Sequence, residues 1–178
     1  MGTKDLAWTS AKTAPKRLFQ FYVSFGTDNK IPVWTIKTAT LPKANVSAIE
    51  HSFLNHTFKY PGRVTWDNIT LTLVDPISQQ TSKIVLDALI ASGYQNPSAD
   101  AGSMHGKGKT ISKEKAVGAI SDVLLVQTNS EGIVKEKWKL VNPWIVSADF
   151  GGTLDYTSDE LNEITIELAF DWAERTNN

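Results

Sequence analysis

The stretch EITIELAFDW, Glu163 to Trp172, alternates without a break. Ile164, Ile166, Leu168, Phe170 and Trp172 share one parity. Glu163, Thr165, Glu167, Ala169 and Asp171 share the other. A period of two places successive side chains on opposite faces of a strand, so the segment reads as a half-buried strand with an acidic outer face. Two other stretches follow the same rule. In RLFQFYVSF (17–25), Phe19, Phe21, Val23 and Phe25 oppose Gln20, Tyr22 and Ser24. In VTWDNITLTLVDP (64–76), Ile69, Leu71 and Leu73 oppose Asn68, Thr70 and Thr72. Val64 and Trp66 fall on the polar parity, which predicts a bulge or bend near Asp67.

Working outward, IPVWTIKTAT (31–40) reads as a strand that forms a hairpin with 17–25 across the turn GTDNK. The segment 41–63 alternates weakly and is bounded by Pro42 and by YPGR (60–63). It reads as a ribbon-like excursion, not as core. DPISQQTSKIVLDALIASGY (75–94) is the single expected helix. Asp75 is placed as its cap, Pro76 at its first position and Gly93 at its stop. Its apolar stripe runs through Ile77, Thr81, Ile84, Val85, Ala88 and Leu89. Residues 95–115 are polar and aperiodic and read as a loop. AVGAISDVLLVQT, NSEG and IVKEKWKLV (116–141) make a second hairpin. NPWIVSADFGGTLDY (142–156) is a strand kinked at Gly151–Gly152. The expected fold is mainly β: an antiparallel sandwich or barrel-like unit over 17–178, with one helix and an N-terminal arm over 1–16.

Composition narrows the functions. The 178 residues suit one domain. A net charge of -1 argues against a dedicated nucleic-acid binder. With no cysteine, disulfide scaffolds and thiolate metal sites are excluded. No apolar run reaches the roughly 18 residues of a membrane span. The N-terminal residues lack an apolar secretion segment, and Leu6 misses the myristoylation pattern. Synthesis and use in a cytosol-like compartment are expected.

Several chemistries fail on spacing. GSMHGKGKT (102–110) ends like a phosphate-binding loop, but that motif requires glycine at position 103, which is Ser103. YQNPSADA before it is no buried strand, ISKEKAVGAIS after it shows no apolar stripe, and DVLLVQ ends in Gln127, not Asp. His51 and His56 differ by an odd number, so an extended chain sends them to opposite faces, and His105 stands alone. Glu163 and Glu167 stand about 13 Å apart on one strand. Paired-carboxylate glycosidases use about 5 to 9.5 Å. Lys135, Lys137 and Lys139 form a basic face of the kind that ion-pairs across strands. No cofactor or metal is expected.

The order of these stretches resembles tail tube proteins of contractile-tailed, T-even-like bacteriophages. The likeness is carried by 39–76, with its Leu-Pro, extended segment, Thr-rich strand and helix. It continues in 142–174, with Pro-aromatic, bent strand, SDELNEI and final strand ending in FDW, and in RLFQFYVSF as opening strand. It covers most of 17–175. The loop 95–115 is longer than such proteins require. The resemblance implies subunits that form hexameric rings, stack into a tube and join their strands into one barrel around a lumen. It implies as partners other copies, a sheath protein, baseplate and terminator proteins, and tape measure protein and DNA in the lumen. It implies a place in a virion tail, assembled in the host cytoplasm. The alternatives are a tube-initiating baseplate protein, the inner tube of a secretion or injection machine and, last, a nucleotide-binding enzyme.

Under that resemblance, Asn68, Thr70, Thr72, Glu163, Thr165, Glu167 and Asp171 are expected to face the lumen. Lys43, Asn45, Asn55, His56, Lys59, Tyr60 and Arg63 are expected between rings. Lys107, Lys109 and Lys113 are expected on the outer wall or ring interface.

Overall fold

The computed structural model describes residues 15–26, 31–78, 80–95 and 110–176. Two four-stranded antiparallel sheets face each other, in the orders β1-β6-β7-β10 and β2-β5-β9-β8. A separate two-stranded ribbon, β3-β4, projects from them. The strands are β1 Phe21–Phe25, β2 Ile36–Ala39, β3 Ala44–Phe53, β4 His56–Trp66, β5 Ile69–Val74, β6 Val123–Thr128, β7 Val134–Val141, β8 Trp144–Asp149, β9 Glu163–Ala169 and β10 Trp172–Thr176. Helices α1, Thr81–Ala91, and α2, Lys113–Ile120, pack on each other, and α2 packs on β8. The mainly β architecture expected from alternation is the one found.

The core is a dry layer between the sheets. Ile69, Leu71 and Leu73 of β5 and Ile164, Ile166 and Leu168 of β9 are fully buried. Val23 of β1, Val123 of β6 and Leu140 of β7 meet them from the other sheet. Val85 of α1 joins the same cluster. No buried side-chain nitrogen or oxygen among the described residues lacks a hydrogen-bond partner.

Several expectations are corrected. β1 and β2 do not form a hairpin: β1 pairs with β6 and β2 with β5, in different sheets. The connection is short, but each strand gains more by placing its apolar face in the common core. The final strand is not continuous to Trp172. It ends at Ala169, and β10 pairs with β7 in the opposite sheet. Trp172 is therefore left partly exposed instead of joining the core. YPGR does not bound the ribbon; it lies within β4. The bend near Asp67 is present, as the break between β4 and β5.

The single-helix expectation is also corrected. Lys113–Ile120 is a second helix, capped by Ser112, whose Oγ accepts from the Lys115 N–H at 3.4 Å. The last three residues of the expected loop 95–115 and the start of the expected hairpin from Ala116 are helical instead, and β6 begins only at Val123; residues 96–109 of that loop lie outside the described residues. The first helix starts five residues after Pro76. Asp75 Oδ1 still accepts from the Ser82 N–H at 3.2 Å, so its capping role is kept at a later turn. Gly93 ends α1 at φ +110°, and a Cβ there would stand 2.5 Å from the Thr110 carbonyl oxygen. The glycine lets the chain entering α2 pass directly against the end of α1. Residues 106–109 of the GKGKT segment and residues 1–14 lie outside the described residues.

The core predicts its own sensitivity. Leu71→Ala and Leu168→Ala should each lower unfolding stability by about 2–5 kcal/mol, since each removes a buried side chain from a dry interface. Thr72→Ala, on the opposite face of β5, should change it by less than about 1 kcal/mol. Urea unfolding midpoints of the three variants check both statements.

Candidate functional site

Two surfaces stand out, one polar and one apolar. The polar one is the outward face of β2-β5-β9-β8. Cross-strand register sets Thr70 opposite Glu167, Thr72 opposite Thr165, and Val74 opposite Glu163. Directly opposed residues share a face. Asn68, Thr70, Thr72, Glu163, Thr165 and Glu167 are therefore brought together as the sequence pattern required. β8 adds Ser147 and Asp149, opposite Glu167 and Thr165. β2 adds Thr38, opposite Thr72.

The carboxylates on this face are held in place. Asn68 Nδ2 donates to Glu167 Oε1 at 2.8 Å, and Ser147 Oγ donates to Glu167 Oε2 at 3.3 Å. Lys37 sits at the β2 bulge between Ile36 and Thr38 and reaches across β5 to pair with Glu163. Glu163, Glu167 and Asp149 outnumber that one cation, so the face carries negative charge at neutral pH. Its two edge strands, β2 and β8, each pair on one side only.

Asp171 is not part of this face. The chain has left β9 by that point, and Asp171 lies at the crossover into β10. There its carboxylate accepts from Asn142 Nδ2 at 2.7 Å and from Lys113 Nζ at 2.7 Å. These bonds hold its pKa below the ordinary carboxylate value, Asn142 most and Lys113 next. Lys113, expected in an outer loop, is instead the first residue of α2 and ties that helix to the crossover. Lys107 and Lys109 lie outside the described residues.

The apolar surface is the ribbon. All but three residues of β3 and β4 are exposed. Register pairs Ile49 with Tyr60, His51 with Phe58, and Phe53 with His56. Those six share one face. Ala48 with Pro61, Glu50 with Lys59, and Ser52 with Thr57 make the other. Glu50 and Lys59 form an ion pair at 3.2 Å. The ribbon is thus amphipathic, with its apolar face uncovered within the single chain. His51 and His56 come to one face because the hairpin turns between them; the parity rule for a single extended strand does not reach across a turn.

Of the ribbon residues singled out in the sequence, His56 and Tyr60 lie on the apolar face and Lys59 on the polar one. Asn55 is in the turn. Lys43 and Asn45 sit at the neck, where Lys43 Nζ at 3.0 Å and Asn45 Nδ2 at 2.5 Å both bind the Asp67 carboxylate. Arg63 donates its backbone N–H to Ser47 Oγ at 2.9 Å beside the bulge between Val46 and Ala48. A Cβ on Gly62 would stand 2.3 Å from that Ser47 oxygen, so a larger residue there would displace the Ser47 side chain from this hydrogen bond.

One charged residue escaped the sequence reading. Glu136, only 7% exposed, pairs with Arg175 Nε at 2.8 Å and with Lys16, and accepts from Trp138 Nε1 at 2.8 Å. The parity of Glu136, Trp138 and Leu140 on β7 was the available signal. Among the described residues no three His, Asp or Glu side chains gather to hold a metal, and no helix is long and apolar enough to cross a membrane.

No protein-family model matches the chain, and no curated protein sequence matches it. Solved structures do share its fold. A chain in the sheath–tube complex of the PVC extracellular contractile injection system, in the extended state, matches with a TM-score of 0.63 at 20% identity. The match covers 100% of this chain and 99% of that one. A chain in the tube-terminating cap of the anti-feeding prophage matches with a TM-score of 0.62 at 20% identity, covering 99% of this chain and 100% of that one. A chain in the PVC sheath/tube terminator gives 0.61 at 21% identity over 93% and 99%. The tail-tube likeness expected from the sequence holds at the level of the fold.

The ribbon neck has a pH signature. Hydrogen bonds from Asn45 and then Lys43 lower the Asp67 pKa below its usual value. A lowered folded value means the clamp adds stability above the unfolded carboxylate value, about 3.9. It loses that stability as pH falls through the lower folded value. An NMR titration should place the Asp67 midpoint below that of an unstructured aspartate. Asp67→Asn should abolish the pH-dependent part of ribbon amide protection in that acid range.

Proposed function

We propose that this chain is a building block of the inner tube of a contractile, phage-like particle, in which copies close into hexameric rings and the rings stack. The observation that carries the reading is the sheet β2-β5-β9-β8. One face is dry, the other is lined by threonines and carboxylates, and both edges are open. A sheet of this kind is at risk of unspecific edge pairing as a monomer. It becomes complete when the β2 edge of one copy meets the β8 edge of the next and the ring closes the barrel. The whole-length likeness to a chain of a sheath–tube complex supports that arrangement, with sheath, baseplate and terminator proteins as partners.

In such a barrel the polar face lines the lumen. Glu163, Glu167 and Asp149 then repel phosphates, so that a polyanion such as a viral genome passes without cationic contacts to hold it. This is the finer reading: a tail tube of a virion that conducts DNA. A second reading is favoured by the equal likeness to a tube-terminating cap: a single ring that ends the tube. The two share every surface described and differ in whether one ring accepts another.

Negative-stain microscopy of the purified chain separates them. Stacked rings are expected for a tube subunit and isolated rings for a cap; neither would overturn the proposal. Deleting residues 50–59, the outer part of the ribbon, should leave soluble subunits or isolated rings. Long tubes from that deletion would refute an interring role for the ribbon. For the lumen, short DNA should not be retained by tubes of the natural sequence. Tubes of Glu163→Lys/Glu167→Lys should retain it, in a manner lost at high salt.

A further inference from the structure

An apolar cleft of about 420 Å³ opens at the helix-covered end of the sandwich. Ile84, Val85, Ala88 and Ala91 of α1, Ala119 of α2 and Ile145 of β8 line it. Since one water occupies about 30 Å³, the space admits whole side chains. Among the described residues, Asp87, exposed on α1, is the one charged residue that lines it, and no ion pair or hydrogen bond engages its carboxylate.

The far end of the ribbon has the opposite shape. Its two-residue turn, Leu54–Asn55, sets Leu54 at φ +52°. This left-handed region is disfavoured for a bulky side chain, by about 1–2 kcal/mol per residue. Leu54 is also 87% exposed, and its neighbour Phe53 is 62% exposed. Glycine or asparagine would suit the turn better and cost nothing in exposure. A strained, solvent-facing leucine gains nothing within its own chain. Backbone strain of this kind clusters at functional sites.

We propose that Leu54, with Phe53, is the anchor by which the ribbon of one copy docks into the α1–α2 cleft of another copy. Three features on the same chain fit together. The tip is an apolar knob and the cleft an apolar hole. The imidazoles of His51 and His56 flank the knob on the apolar face, and Asp87 stands at the rim of the hole to accept from them. The ten residues of β3 span about 30 Å, which sets the knob well away from the ribbon's neck. Knob and hole are different surfaces, so the contact is heterologous: each copy offers one and accepts one, and it propagates from copy to copy. Buried anchors of this kind dominate interface energetics over the contacts around them.

The inference rests on the tube reading and is tested separately from it. Leu54→Asn should raise the unfolding temperature of the isolated subunit or leave it unchanged. It should also raise the protein concentration needed for assembly about tenfold to a hundredfold, the equivalent of losing one buried leucine contact. A side chain that only shaped the turn would move both readouts together. Since the chain has no cysteine, Leu54→Cys/Ala91→Cys can be joined by a short bismaleimide. A ladder of covalent oligomers from assembled protein is expected, and none from Leu54→Cys/Lys135→Cys. Rings or tubes that form normally with Leu54→Asn, or that give no ladder with the first pair, overturn the docking and leave the tube reading standing. If the natural sequence forms no ordered assembly, both fall together.

Discussion

The pairing of β5 with β9 is the constraint on which the rest depends. Ile69, Leu71 and Leu73 stand in register with Leu168, Ile166 and Ile164, and all six are fully buried. A slip of one residue would turn these side chains to solvent and carry Thr70, Thr72, Thr165 and Glu167 into the core. Desolvating a carboxylate without a partner is far more costly than any turn preference can offset. The register is therefore decided by the dry face, and the polar face follows without separate specification. That is why Asn68, Ser147 and Glu167 find one another across three strands: the spacing that packs the leucines also aligns the hydrogen-bonding groups.

The ribbon follows different physics. It makes no use of the common core, and its two strands hold each other through their own ladder and through the Asp67 clamp at the neck. An isolated two-stranded hairpin is only marginally stable in water. Here it gains anchoring at the base, where Lys43 and Asn45 converge on one carboxylate. Six side chains, four of them large apolar groups and two imidazoles, still share an uncovered face. Contiguous apolar surface of this extent is uncommon on the outside of a monomeric protein. The sandwich is complete as a fold and incomplete as a surface, at the ribbon and at the open edges of β2 and β8.

Legibility tracked sequence distance and periodicity. The alternation of 163–169 and 69–73 was plain because one face of each strand is dry and the other wet. The β6–β7 hairpin was equally plain, since a short turn anchored by Asn129 joins strands that do pair. The pairing of β1 with β6 was not, because about a hundred residues separate them and nothing local distinguishes a sheet neighbour from a sandwich neighbour. Helix α2 was hidden by its small apolar content. Ala116, Ala119 and Ile120 alone face inward, a stripe too thin to register as periodic. Glu136 was overlooked because a charged residue at a core parity reads as a break in the pattern. Arg175 from β10 and the indole of Trp138 make its burial tolerable.

By itself the sequence determined the β class, the two faces of the central strands, the exposed character of 43–63 and the polar residues that share a wall. These depend on side-chain period and on the cost of burying charge, both of which are local. Only the tertiary structure decided which strands share a sheet and that the chain crosses between sheets after Ala169. It also drew Asp171 away from the polar wall to Lys113 and Asn142, and collected the ribbon's aromatics on one side. Those outcomes depend on which distant apolar faces can be dried together, a competition among all strands at once that no single stretch records.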